Sequence, residues 1–303
     1  MGFRLTKHHG LGNDFLVHLT SERSVGADRA GWIERGQRWC DRRRGFGADG
    51  LLIGLIGDGA AAVGVEQGID GGAVDVVMTL VNADGSIAEM SGNGIRCLAQ
   101  AASRAGVGGA SMRILTDAGV REVSLSPATS ADGGGDDPAS IVASVDMGPA
   151  VPGPDPDRAV DIDVSEVPEA TATALALAPL RRVTLDVGNP HLVLLVPDPE
   201  VIDLVAAGST HEAAFAAGMN VHFVAPTPGE DDAISMRVWE RGAGVTEACG
   251  TGATAVARAV HDWGLVGERV AVHMPGGDVV VEVGESMTLH GPATFIGSAE
   301  VIA

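Results

Sequence analysis

Apolar residues along this chain recur mostly at the short spacing of strands. Alternation or β-branched runs predict strands over Phe3–His8, Phe15–Thr20, Leu51–Ile56, Val74–Val81, Met112–Thr116 and Val120–Ser126, with a helix near Ala30–Arg43 and another after Gly94. After Pro127 the pattern breaks. Asp132 to Pro138 reads as a flexible glycine-rich surface loop, and Pro149 to Pro156 as a proline-punctuated connector. Strand spacing then resumes at Arg182–Val187, Leu192–Val196, Asn220–Val224, Ile234–Glu240, Val270–His273 and Val279–Val283, with helices expected over Val201–Ala206, Glu212–Ala217 and Ala253–Asp262. The last strand, Thr294–Ala303, suits either half. Many strands around few helices, without βαβ alternation, predict an α+β fold.

Two stretches of the chain are near-copies. Ser91-Gly92-Asn93-Gly94 leads into Ile95-Arg96-Cys97-Leu98-Ala99, and Cys249-Gly250-Thr251-Gly252 leads into Ala253-Thr254-Ala255-Val256-Ala257. Both read as a glycine turn opening a helix. Upstream of each lies a second echo, Gly12-Asn13-Asp14-Phe15-Leu16-Val17 and Gly188-Asn189-Pro190-His191-Leu192-Val193. The copies are too far apart for a solenoid repeat and suitably spaced for a duplicated domain, with the change of domain near Asp146.

A helix N-terminus exposes unpaired N–H groups and a partial positive charge, so it binds anions and acidifies thiols. If the two helix starts face each other across a cleft, an amino acid between them has its carboxylate held by N–H groups and one heteroatom on each side of its α-carbon. Proton removal on one side and return on the other is racemisation without a cofactor. Cys249 suits the role, because a thiol of ordinary pKa about 8.5 is expected to be lowered at such a position.

Composition narrows the partners. The 303 residues carry a formal charge of −20, with 45% hydrophobic and 20% charged residues. That balance argues against nucleic acid, which requires clustered Lys and Arg. With no apolar run near the roughly 20 residues a membrane span needs, and no signal-like N-terminus, no membrane association is expected and the cytoplasm is the default location. Cys40, Cys97 and Cys249 form no ligand cluster with the nine histidines, so neither a metal nor a disulfide framework is expected.

His9-Gly10-Leu11-Gly12-Asn13-Asp14-Phe15, Asn82-Ala83-Asp84-Gly85-Ser86, Gly92-Asn93-Gly94-Ile95-Arg96, Gly188-Asn189-Pro190-His191 and Glu240-Arg241-Gly242-Ala243-Gly244 through Ala248-Cys249-Gly250-Thr251-Gly252 follow one another in order. Together they resemble the diaminopimelate epimerases. The resemblance implies a cofactor-independent isomerase interconverting LL- and meso-diaminopimelate for lysine and peptidoglycan synthesis. It also implies two pseudo-symmetric domains, each a mostly antiparallel sheet wrapped around a central helix, with the active site in the interdomain cleft. The domains would be residues 1–146 plus 284–303, and 147–283. Carried over position by position, Cys249 is one catalytic residue, and Gly92, Asn93, Gly250 and Thr251 hold the reacting carboxylate. Asn13, Asn82, Asn189, Asn220, Glu240 and Arg241 bind substrate, and His191 with Glu240 tunes the thiols. Partners reduce to a small amino-acid substrate and, by family analogy, a second copy in a homodimer.

The chain departs from the family pattern at the other catalytic position, where Ser91 replaces a cysteine. Cys97, six residues on, is rotated away from Ser91 and is expected in the core. A hydroxyl is a far weaker acid than a thiol, so the expectation is that binding survives, Cys249 exchanges one face and full inversion is slow, unless neighbours such as His191 activate Ser91. Two other readings stand beside this one: a related racemase acting on proline or hydroxyproline, and a non-catalytic small-molecule binding protein using the glycine turns as anion nests.

Overall fold

The computed structural model describes residues 2–26, 28–69, 74–128, 137–158 and 178–302. The chain divides into two compact units, Met1–Asp146 with His290–Ala303, and Met147–Leu289.

In the first unit β1 (Gly2–Gly10) and β2 (Asn13–Thr20) form a hairpin in which Thr6 lies opposite Val17 and Gly10 opposite Asn13. Its two-residue turn places Leu11 (φ 57°) and Gly12 (φ 83°) in the left-handed region, the backbone that suits the twist of tight hairpins. The helix α1 (Arg29–Cys40), capped by the Asp28 side chain, leads to β3 (Gly50–Ile56), parallel to β2. After α2 (Asp58–Glu66) comes β4 (Val76–Asn82), antiparallel to β3, and the short β5 (Ile87–Ala88) folds back on β4. The helix α3 (Gly92–Arg104) returns the chain to β6 (Ser111–Thr116), parallel to β4, followed by antiparallel β7 (Gly119–Pro127) and β8 (Ser140–Gly148).

The second unit repeats this order. After β9 (Val151–Pro152), β10 (Arg181–Asp186) and β11 (Pro190–Leu195) make the hairpin. The helix α4 (Leu204–Glu212) leads to β12 (Asn220–Pro226), parallel to β11, and β13 (Ala233–Glu240) runs antiparallel to β12. A short β14 (Gly244–Thr246), α5 (Gly250–Asp262), β15 (Arg269–Met274) parallel to β13, and antiparallel β16 (Gly277–Glu282) complete the pattern. The last strand, β17 (Met287–Ile302), pairs antiparallel with β1, Phe3 opposite Val301.

Both central helices are buried nearly all round. Every residue from Gly92 to Ala102 is buried in α3, and in α5 so are Gly250 through Ala257, Ala259 and Val260. From Gly250 to Ala257 α5 is small or apolar on every face, as suits a helix inside its domain, whereas α3 buries Asn93, Arg96 and Gln100 on hydrogen bonds. Period-two alternation supplies the surrounding core. Leu192, Leu194 and Val196 meet Val221, Phe223, Leu204 and Phe215 in the second unit, and Leu5, Leu16, Trp32, Trp39, Leu51 and Ile53 cluster in the first.

Four expectations are corrected. The segment 212–217 is not a helix: Asp203 caps Ala206, so the helix begins earlier and ends at Glu212, and Gly218 (φ 76°) closes the turn beyond. A short 3-10 turn, Pro199–Val201, precedes it and ends at the extended Ile202, so Val201–Ala206 is not a single helix. The Ala- and Gly-rich segment Asp58–Glu66 is helical although its pattern signalled nothing. The proline-marked stretch after Pro127 contains β8, and Val151–Pro152 pairs with β10. Most of the glycine loop at 132–138 lies outside the described residues. Among the described residues no helix is long and apolar enough to cross a membrane.

Candidate active site

The two glycine turns have nearly the same backbone. Ser91 (φ −143°, ψ 121°) caps α3 and Cys249 (φ −135°, ψ 109°) caps α5, each side chain accepting from the N–H three residues on. Ser91 Oγ accepts from Gly94 N at 3.0 Å, and Cys249 Sγ from Gly252 N at 3.4 Å. Both helices run thirteen residues from their caps. The first N–H groups of a helix have no acceptor within it, so each turn carries donors suited to a carboxylate.

In the first unit a polar network gathers behind Ser91. Asn93 Nδ2 donates to Asn13 Oδ1 (3.2 Å), and Asn13 Nδ2 donates to Asp49 Oδ2 (2.7 Å). Arg96, fully buried, donates to Gly92 O (3.0 Å), Asn93 Oδ1 (2.8 Å) and Pro292 O (3.2 Å). Burial pulls its pKa down to about 10, so the guanidinium stays charged at neutral pH behind the turn. Arg42 bridges Asp14 and Asp49, both at 2.7 Å, and Lys7 reaches Asp14 at 2.8 Å. Burial pushes the Asp14 carboxyl up, but its bonds to Arg42 and Lys7 outweigh that and hold it below the ordinary carboxylate range. Asn82 lies at the end of β4, where its amide donates to Ser86 Oγ (2.9 Å), and Ala83 N donates to Asp49 O (2.9 Å). Asp49 thus ties the Asn82 turn to Asn13. Sequence reasoning missed Arg42, Lys7 and Asp49 as a connected group.

In the second unit Cys249 is buried beside Glu240. Burial, then the Glu240 carboxylate, push the thiol well above its ordinary value, against the opposing pull of Thr251 and the Gly252 N–H. The expected acidification at the helix start is therefore reversed: removing water outweighs the donors of the turn. Glu240 also accepts from Thr246, and Arg241 donates through its backbone N–H to Asn220 Oδ1 (3.1 Å) and through its side chain to Ala217 O (3.3 Å). Asn220 Nδ2 in turn donates to Pro190 O (2.9 Å). His191 is fully buried against Asn189 and His222, and burial followed by the neighbouring His222 hold it well below its ordinary value. Asn189 reaches Thr251 (3.4 Å), and Thr251 Oγ1 lies 3.6 Å from Cys249 Sγ.

The second unit thus brings together Asn189, His191, Glu240, Cys249 and Thr251, and the first joins Asn13, Gly92 and Asn93 to the cap of α3. Cys97 is wholly inside α3's packing, its thiol pushed up to about 12 by burial.

The family model described as diaminopimelate epimerase matches residues 5–151 and 183–296. The diaminopimelate epimerase of Synechococcus elongatus is 36% identical with both chains fully covered, and that of Corynebacterium glutamicum strain R is 36% identical over 97% of this chain and 96% of its own. Two solved structures share the fold at low identity. A Bacillus anthracis phenazine biosynthesis protein of the PhzF family has TM-score 0.68 and 12% identity with both chains fully covered. A hydroxyproline epimerase from Agrobacterium vitis with bound trans-4-hydroxy-L-proline has TM-score 0.65 and 15% identity over 99% of this chain and 92% of its own. Full-length relatives and a family model spanning both glycine turns place this α+β chain among the isomerases, as a member of the diaminopimelate epimerase family.

Proposed function

We propose that this chain interconverts LL- and meso-diaminopimelate, with Cys249 as one proton-transfer group and Ser91 as the other. The observation that carries the reading is the matched pair of caps, each a protonatable heteroatom at the buried start of a central helix. In the cell this reaction feeds lysine synthesis. A small amino acid is the partner and no cofactor is required, because the negative charge left at the α-carbon spreads into the carboxylate, where the turn N–H groups hold it.

The chemistry follows from the neighbours. Cys249 begins as a thiol with Glu240 beside it, so substrate binding transfers the thiol proton to the carboxylate and the thiolate takes the α-proton. The same sulfur can return a proton to that face. Inversion requires delivery to the opposite face from the Ser91 hydroxyl, which becomes an alkoxide several pKa units less stable than a thiolate, and this makes inversion the slow step. Gly250, Thr251, Gly92 and Asn93 serve the carboxylate. Asn13, Asn82, Asn189, Asn220, Glu240 and Arg241 serve the remaining polar groups, and a homodimer in the cytoplasm is the working assembly.

Incubation of LL-diaminopimelate with the wild-type chain and with Ser91→Cys, followed by chiral separation, tests the assignment. Both should form meso-diaminopimelate, Ser91→Cys faster, with L-proline and trans-4-hydroxy-L-proline left unchanged. Turnover of proline with none of diaminopimelate would overturn it.

A further inference from the structure

His222 ends a line of hydrogen bonds that starts at the Cys249 sulfur. It stands on β12 two residues after Asn220, and β11 lies parallel with His191 opposite Asn220. Both imidazoles are fully buried, with ring centroids 5.0 Å apart and planes tilted by 38°. His222 also packs directly under the Cys249 turn, since a Cβ on Gly252 would come within 2.2 Å of its Cε1.

The chemistry of each group sets the direction of the line. Asn189 turns Nδ2 toward Thr251 Oγ1 (3.4 Å) and Oδ1 toward His191 Nε2 (2.8 Å). An amide oxygen only accepts, so His191 carries its proton on Nε2. A neutral imidazole has one N–H, which leaves His191 Nδ1 as an acceptor for the Nε2–H of His222 at 2.8 Å. His222 is left with a bare Nδ1, buried and without a partner among the described residues. At the other end, Thr251 accepts from Asn189 and has its single O–H to give to Cys249 Sγ, 3.6 Å away. Burial keeps both rings neutral, which the line requires. The charged groups nearby are Glu240 on β13, beside the sulfur, and Arg241, which acts on His191.

With a group that only accepts in place of the His222 donor, the line runs backward. His191 then carries its proton on Nδ1, the Asn189 amide flips to donate to Nε2, and its oxygen draws the Thr251 hydroxyl away from the sulfur. We propose that His222 is a positioning residue whose Nε2–H selects the tautomer of His191 and so points the Thr251 hydroxyl at Cys249. The inference rests on reading Cys249 as a proton-transfer group.

The test uses the full chain with 15N-labelled histidine. Long-range 1H–15N NMR reads the ring tautomers, and the rate of iodoacetamide alkylation, located at Cys249 by mass spectrometry, reads the thiolate. The wild type should show both rings neutral with the proton on Nε2. His222→Met, whose thioether accepts weakly and donates nothing, should move the His191 proton to Nδ1 and slow Cys249 alkylation about tenfold at a given pH, the effect of one pKa unit. His222→Gln, whose amide can donate in place of the imidazole, should restore the His191 tautomer and most of the rate. An Nδ1–H His191 in the wild type, or an unchanged tautomer and alkylation rate in folded His222→Met, overturns the proposal. If the methionine variant does not fold, the wild-type tautomer and the glutamine variant still decide. None of these readouts uses diaminopimelate, so failure here is distinct from failure of the epimerase assignment.

Discussion

Ser91 and Cys249 occupy the same backbone position in two copies of one turn, yet their chemistry differs by a single atom. A cysteine at the first position would provide a group several pKa units more acidic. At about 1.4 kcal/mol per unit, Ser91→Cys should raise the rate of LL-to-meso conversion at least a hundredfold in the chiral assay, with a small change in KM. Equal rates would show that Ser91 is already activated by its surroundings. These two residues were legible because a heteroatom, a glycine turn and a helix are contiguous in sequence. His222 was not, since its role exists only through the register that sets His191 beside Asn220 on a neighbouring strand. The raised Cys249 thiol was equally hidden: a helix start can be read from spacing, but the desolvation that outweighs it depends on what packs around it.

Within the elements, the two turns tolerate change unequally. A Cβ at Gly94 would meet its own cap, Ser91 Cβ at 3.1 Å and Oγ at 3.2 Å, and touch Leu52 at an ordinary 3.6 Å, whereas at Gly252 it would strike the buried His222 ring at 2.2 Å. Gly252→Ala should therefore cost about 2 kcal/mol or more, as overpacking does, while Gly94→Ala stays within about 1 kcal/mol of wild type because helix propensity offsets the mild crowding. Urea denaturation of the two variants checks the difference, and equal midpoints would mean His222 moves aside freely. Strand alternation was readable in β2, β3, β11 and β12, whose apolar residues also build the cores. The helix Asp58–Glu66 was not, because its small residues carry no sharp amphipathic contrast. The misplaced 212–217 helix came from weighing apolar spacing without the Asp203 cap and the Gly218 turn that bracket the real one.

For the molecule as a whole, buried neutral histidines link stability to pH. Burial holds His8 at about 4 and His222 at about 3, and lowers His18 and His191, against an ordinary value of 6.5. The unfolded chain binds protons that the folded chain refuses, so this stability is present above pH 6.5 and is lost as pH falls toward 4 and then 3. His8 alone accounts for about 3 kcal/mol across its window. Thermal melts should show Tm steady near neutrality and falling steeply between pH 6.5 and 4, and a Tm that rises over that interval would contradict the buried neutral rings. The repeated strand order of the two units was foreshadowed by the echoed Gly-Asn and glycine-turn motifs, whereas β8, lying beyond a glycine- and proline-rich stretch, was masked by composition.

The most direct test of Cys249 as a working base is incubation of each diaminopimelate stereoisomer with the wild-type chain in heavy water, following the α-position by NMR. Deuterium should enter the α-carbon of one stereoisomer faster than its configuration changes, because Cys249 exchanges its own face while Ser91 delays inversion. Folded protein that leaves the α-proton of both stereoisomers in place would contradict the account.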